Sequence, residues 1–282
     1  MRLQMLFSLS LFNNTRNPSH FLSWYLNPNH NPKPFCMRKH AFLLILVFLS
    51  SCFTQKQATI VTKETFTFDY SPKMTATPGS AGMVLAFMKP YYALDFTASS
   101  GELFQNFQSS LGNDIEEQII AKGFSMKGPF QSYDELVFDD KKSTDMVIQI
   151  EISPKYTAAE GYWSSHLAFT GRAYTTYSYS GKVSIVGKIN LSGIEPLTNE
   201  KIWAKSVSIP NIENIPISTS QNYARILNDY ELIQDPGVYN ALGKALRAQY
   251  AGIMEKIAAH FNVEEFNSLK PQIKELKAKK GY

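Results

Sequence analysis

The sequence predicts an α+β fold: a mainly antiparallel sheet of about five to seven strands, packed on one face by a central helix and C-terminal helices. Three observations carry that expectation. Phe104, Phe107, Leu111, Ile115 and Ile119 recur at three- and four-residue spacing, the stripe of one amphipathic helix. The middle third is aromatic, rich in β-formers and alternates. The C-terminal end carries two more helical stripes.

Each element follows in order. Thr65–Tyr70 alternates strictly and puts Phe66, Phe68 and Tyr70 on one face, a half-buried strand. Met83–Met88 is a continuous apolar run stopped by Pro90, a more deeply buried strand. The central helix takes Ser99 or Ser100 as N-cap, with Gly123 at its left-handed C-terminal position. Phe124–Lys127 returns to extended chain, and a turn-rich stretch reaches Ser143. Met146–Ile152 then alternates Ile148, Ile150 and Ile152. Trp163–Tyr179 and Lys182–Ile194 read as a long hairpin turning near Ser180-Gly181. Ile202–Ile209 adds a strand, and 210–236 reads as a long connection. Val238, Leu242, Leu246, Tyr250, Ile253, Ile257 and Phe261 form one long helical stripe. Val263, Phe266, Leu269, Ile273 and Leu276 form another, opened by the capping pair Asn262 and Glu265 and expected to bend or break at Pro271.

The start of the chain reads as an address. Met37-Arg38-Lys39-His40 is basic, and Ala41–Leu49 is an unbroken apolar run of nine residues. A bilayer-spanning helix needs about 20 apolar residues and a signal-peptide core about 7 to 15. Leu49-Ser50-Ser51-Cys52 follows, a branched apolar residue, two small ones and a cysteine. Residues 37–51 are therefore expected to be a lipoprotein signal peptide, with Cys52 the lipidated residue and 52–63 a tether. More than one acyl chain, at about 0.8 kcal/mol per buried methylene, gives a stable membrane anchor. An ordinary cleaved signal peptide with an incidental cysteine is the competing reading. Residues 1–36, without acidic residues or helical period, are expected to be an over-extended start, with translation beginning at Met37.

The formal net charge is +4, from 28 basic and 24 acidic residues. Positions 1–51 hold five of the basic residues and none of the acidic ones, so the remaining 231 are nearly neutral. No basic patch for nucleic acid is left, and no zinc-finger or RNP pattern occurs. Residues 64–282 carry no Gly/Ser/Pro linker and are expected to form a single domain.

Several stretches, in order, resemble a known family. They are the Leu49–Cys52 lipobox, Ala121-Lys122-Gly123-Phe124, Tyr133–Phe138 followed by Lys141-Lys142, Gly187–Glu200, and Glu275–Lys280. Together they resemble the neuraminyllactose-binding haemagglutinins, flagellar-sheath adhesin lipoproteins of Gram-negative bacteria. The similarity runs over roughly Phe66 to Lys280. It implies an acylated envelope protein, an adhesin-like α+β domain over 64–282 and an adhesive or sialoglycan-binding role; Phe53 rather than Asp after the cysteine points to the outer membrane, on either its surface or its periplasmic face. The Lys/Arg-rich run proposed as the family's sialic-acid motif is missing: Pro154–Gly161 holds a single Lys. No sugar-binding residue is carried over.

Few residues invite catalysis. Beyond Cys52 only His166 and His260 remain as histidines, so a three-His zinc site cannot form and no cofactor or metal is expected. Neither has a Gly-x-Ser-x-Gly motif nearby, which argues against a hydrolase. Asp139-Asp140-Lys141-Lys142 reads as a solvated turn. The candidate ligand site is Arg172, Tyr174, Tyr177, Tyr179 and Trp163: a guanidinium for a sugar carboxylate and rings for its apolar face. Simple cross-strand aromatic pairing is the plainer reading. The expected partners are the membrane, through the acyl chains on Cys52, and a glycan or an envelope protein. The alternative role is a periplasm-facing structural lipoprotein supporting an envelope or motility assembly.

Overall fold

In the computed structural model the described residues are 60–279. Cys52, the signal peptide 37–51, the upstream stretch 1–36 and the tether up to residue 59 lie outside them.

The fold is α+β. Six strands form one sheet: β1 (Val84–Met88), β2 (Tyr91–Tyr92), β3 (Ser125–Phe130), β4 (Met146–Phe169), β5 (Ala173–Ile194) and β6 (Lys201–Ser218). The order is β3-β1-β4-β5-β6, with β2 beside β4. Pairs β4–β5 and β5–β6 are antiparallel; β1 runs parallel to both β3 and β4. The helices are α1 (Glu102–Ala121), α2 (Phe138–Ser143), α3 (Asp229–Gln234), α4 (Pro236–His260) and α5 (Val263–Lys279).

The parallel corner explains why Met83–Met88 is apolar without alternation, because strands covered on both faces need no polar side. Leu85 and Phe87 face the main core, whereas Ala86 and Met88 pack with Leu136 and Val147 on the other side. The connection from β1 to β3 is α1, a βαβ crossover. Leu103, Phe104, Phe107, Leu111, Ile115 and Ile119 are all buried on the sheet side. The helix ends as its glycine requires: Gly123 (φ 86°) donates to Ile120 and Phe124 to Ile119, the paired bonds of a Schellman motif. The N-cap differs from expectation. Thr97–Ser100 forms a 3₁₀ turn and Gly101 is the cap residue, without a side-chain bond.

Four further expectations are corrected. Phe66 and Phe68 are buried as the alternation required, but 60–72 forms no strand. Side chains replace the ladder. Phe68 meets Phe107 and Tyr250, each at 5.3 Å between ring centroids. Asn240 on α4 accepts from Glu64 N–H and donates to the Thr62 carbonyl, each at 2.8 Å. The hairpin does not turn at Ser180-Gly181. β4 runs on to Phe169, the turn is Thr170-Gly171-Arg172, and Gly171 supplies its positive φ of 80°. Residues 210–218 belong to β6. It is an edge strand, where Pro210 and Pro216 need no ladder partner for a missing N–H. The pairing shifts register twice there, and the inward residues step by three, Ile209 to Ile212 to Ile215. Finally, α5 continues through Pro271, because Phe266, Ile273 and Leu276 hold both sides of it against the core. The cap at Asn262 stands: its Oδ1 accepts from Glu265 N–H at 2.9 Å.

Candidate functional site

Strand length builds the site. β4 and β5 pair from Val147–Ile194 out to Phe169–Ala173, but β6 accompanies β5 only as far as Ser180–Ser218. A strap then takes over. Thr219 N–H donates to the Tyr179 carbonyl at 3.0 Å, and Tyr177 and Tyr223 exchange two backbone bonds of 2.7 Å. Beyond Tyr177 the hairpin projects as two strands.

The strap is held by one carboxylate. Asp235, only 2% exposed, is the N-cap of α4 and accepts from Gly237 and Val238 N–H. It also accepts from Ser220 N–H at 2.8 Å, the Ser220 hydroxyl at 2.7 Å and the Tyr223 hydroxyl at 2.6 Å. Pro236 at the first helical position suits this start. A second device closes the strap over α3: Asn228 and Glu231 form a capping box, and Arg225 grips Glu231 at 2.6 and 2.8 Å. The Arg225 guanidinium, then the Asn228 N–H, hold the Glu231 carboxyl down at about 2. A depressed carboxyl contributes stability above its ordinary value of 4.5, lost as pH falls through the folded value. The protection of the amides of residues 225–231, relative to their intrinsic exchange rates, should therefore fall between about pH 4.5 and 2, and Arg225→Ala should weaken that pH dependence.

At the hairpin root Trp163 and Tyr179 are register partners, their rings 5.3 Å apart at 62°. Tyr179 lies across Gly161, where an added Cβ would fall 1.8 Å from the phenol oxygen. Gly181 sits opposite Gly161 in the ladder, and a Cβ added there would clash with the Glu160 carbonyl. These glycines are there for close approach. The two rings line a pocket of about 270 Å³, together with Tyr156, Tyr230, Ile233 and Leu242. Behind it, Tyr156 packs on Phe96 and Phe104 at 5.5 and 5.7 Å. Burial pushes its phenol pKa well up, and its hydroxyl is buried without a hydrogen-bond partner.

The five residues singled out in the sequence do not converge. Trp163 and Tyr179 touch each other and line the pocket. Tyr177 is on the same face of the ladder, held to the strap. Tyr174 points to the opposite face by strand parity, across from Ala168. Arg172 is exposed in the turn, seven residues or about 24 Å of strand from Tyr179. One sugar cannot meet both the guanidinium and the ring pair. Gly161, Tyr156, Tyr223 and Asp235 were missed; a buried Asp before Pro at a helix start was the one signal available in the sequence.

His166 Nε2 lies 2.9 Å from the Ser178 hydroxyl, a contact that sequence motifs do not reveal. No carboxylate occurs between Gly161 and Gly181 to orient the imidazole. Among the described residues no group of three or more His, Cys, Asp and Glu could hold a metal, and no helix is long and apolar enough to cross a membrane.

Neither a protein-family model nor a curated protein sequence matches the chain. Among solved structures, a Helicobacter pylori protein described as a neuraminyllactose-binding hemagglutinin homolog superposes with a TM-score of 0.51. It is 14% identical, over 75% of this chain and 100% of that one. The relationship is one of fold. Protein XCC0632 of Xanthomonas campestris (TM-score 0.33, 10% identity, 71% of this chain, 97% of that one) also matches. So does the hypothetical protein CT253 of Chlamydia trachomatis (TM-score 0.29, 13% identity, 64% of this chain, 97% of that one).

Proposed function

We propose that the chain is a lipid-anchored lipoprotein of the Gram-negative outer membrane that binds a glycan without chemistry at the hairpin root. The observation that carries the binding reading is the Trp163–Tyr179 pair in the wall of a largely apolar pocket. Ring faces stack on the apolar face of a sugar, and a pocket of about 270 Å³ takes one small ring rather than a long chain. The fold shared with the hemagglutinin homolog supports an adhesive role, and the Leu49–Cys52 lipobox supports the anchor. Phe53 after the cysteine, rather than Asp, resembles the enterobacterial sorting signal for the outer membrane. A non-catalytic role is supported by the His166–Ser178 pair, which has no carboxylate in its own stretch between Gly161 and Gly181.

Trp163→Ala is expected to lower binding to sialylated glycans or red cells at least about tenfold, since burial of an aromatic ring is worth ~1.5–3 kcal/mol. Arg172→Ala is expected to leave binding unchanged. Equal binding by wild type and Trp163→Ala would remove the pocket from the function. Full protection of the helical body, such as the exposed face of α5, from protease on intact cells would favour the periplasm-facing structural role instead.

A further inference from the structure

The projecting part of the hairpin carries three large, well-exposed apolar or aromatic side chains. Leu167 is 65% exposed, Phe169 71% and Tyr162 66%. By ladder parity Leu167 and Phe169 share a face with Trp163, Tyr177 and Tyr179, so one mainly apolar stripe, broken only by Ser165 and Thr175, runs from the pocket to the tip. Between Gly161 and Gly181 there are six aromatic residues, no Asp or Glu, and one formal cation, Arg172, at the turn. Trp, Tyr and Phe with a terminal Arg and hydroxyl-bearing neighbours is the composition of a membrane–water interface, where amphipathic rings and a snorkelling guanidinium are both satisfied.

Chain length says what lies opposite. The described chain begins at Ile60, and Val61 and Glu64 line the same cleft as Asn214–Pro216 and Asn240. Ile215 pairs with Val183, so the tether leaves level with Val183. From there the tip at Gly171 lies twelve residues on, about 40 Å of strand. Cys52 is eight residues before Ile60, at most about 28 Å of extended chain. The hairpin is thus longer than the tether by about 12 Å, so a hairpin on the anchor side lies tilted, with its tip at the bilayer surface.

We propose that the β4–β5 hairpin tip is a second membrane contact: Leu167 and Phe169 enter the headgroup layer of the bilayer that holds the acylated Cys52, with Arg172 among the lipid phosphates. The inference rests on the lipidation of Cys52. Insertion stops at the interface, because the outer edges of a two-stranded ribbon leave backbone groups that hydrocarbon cannot satisfy. The contact orients the body and holds the Trp163–Tyr179 pocket close to the membrane surface.

The test uses the full acylated protein reconstituted into phosphatidylethanolamine–phosphatidylglycerol vesicles, carrying Phe169→Trp. This exposed substitution opposite Ala173 is conservative, and retained circular dichroism checks the fold. Emission added by the new tryptophan, relative to wild type, is expected to lose about half its intensity when the lipid is brominated at the ~5–10 Å depth that interfacial segments reach. Adding Leu167→Ser is expected to reduce that quenching. Protein retained on vesicles with an unquenched added tryptophan overturns the inference while leaving the anchor intact; a tip-to-tip crosslinked dimer with the same lack of quenching assigns the face to a second copy, and also overturns it. Protein not retained on the vesicles overturns the Cys52 reading and this inference with it.

Discussion

Replacing Asp235 by alanine is expected to destabilise the protein by about 4 kcal/mol, a fall in Tm of about 10 °C, and to loosen the hairpin root. The size follows from the number of groups one carboxylate serves. An N-cap alone is worth about 0.5–2 kcal/mol, and a hydrogen bond to a charged group about 1.5–3. Asp235 caps α4 and also binds the backbone and hydroxyl of Ser220 and the hydroxyl of Tyr223. Tyr223 in turn holds Tyr177 of β5. Its loss would leave buried donors without an acceptor and release the strap from the hairpin. Asp235→Asn keeps the shape but turns an NH₂ toward one set of donors, so it should recover only part of the stability. Thermal unfolding gives the first quantity, and faster amide exchange at Tyr177 and Tyr179 the second. A change under about 1 kcal/mol would mean that the strap is held by something else.

Phe68→Ala is expected to cost about 3–5 kcal/mol, the range for removing a buried aromatic ring. Phe68 has no ladder to fall back on. Its segment crosses α1 and α4 without strand pairing, and Phe68 is wedged between Phe107 and Tyr250. The Tyr250 hydroxyl donates to buried Asp114 at 2.6 Å, so a cavity there also disturbs a buried polar pair. Exposed Thr67→Ala next to it should stay within about 0.5 kcal/mol of wild type. Similar losses from both substitutions in denaturant unfolding would contradict the claim that side chains alone hold this segment.

These two residues mark what was and was not legible in the sequence. The α1 and α4 stripes read correctly because helix period and burial coincide at Phe107, Leu111, Ile115 and at Leu246, Tyr250, Ile253. Phe66 and Phe68 read correctly as buried and wrongly as a strand, since alternation reports facing and not pairing. Gly181 read as a turn because a strand glycine that admits a neighbouring chain looks in sequence like one that admits a positive φ. The Gly171 turn lay ten residues upstream with a similar composition. β6 was lost after Ile209 because two register shifts change the hydrophobic period from two to three. For the site, residue chemistry picked out Trp163 and Tyr179, which meet, and Arg172 and Tyr174, which strand length and parity carry away. Asp235 escaped because its partners come from a loop without periodicity.

Anchoring and the second membrane contact both rest on one cysteine. The direct measurement is the intact mass of the protein extracted from envelope membranes, with metabolic palmitate labelling in parallel. A mature chain beginning at Cys52 and carrying acyl groups, with label and membrane retention both lost in Cys52→Ser, is the predicted result. An unacylated mature chain, or one that retains residues from 1–51, would contradict it.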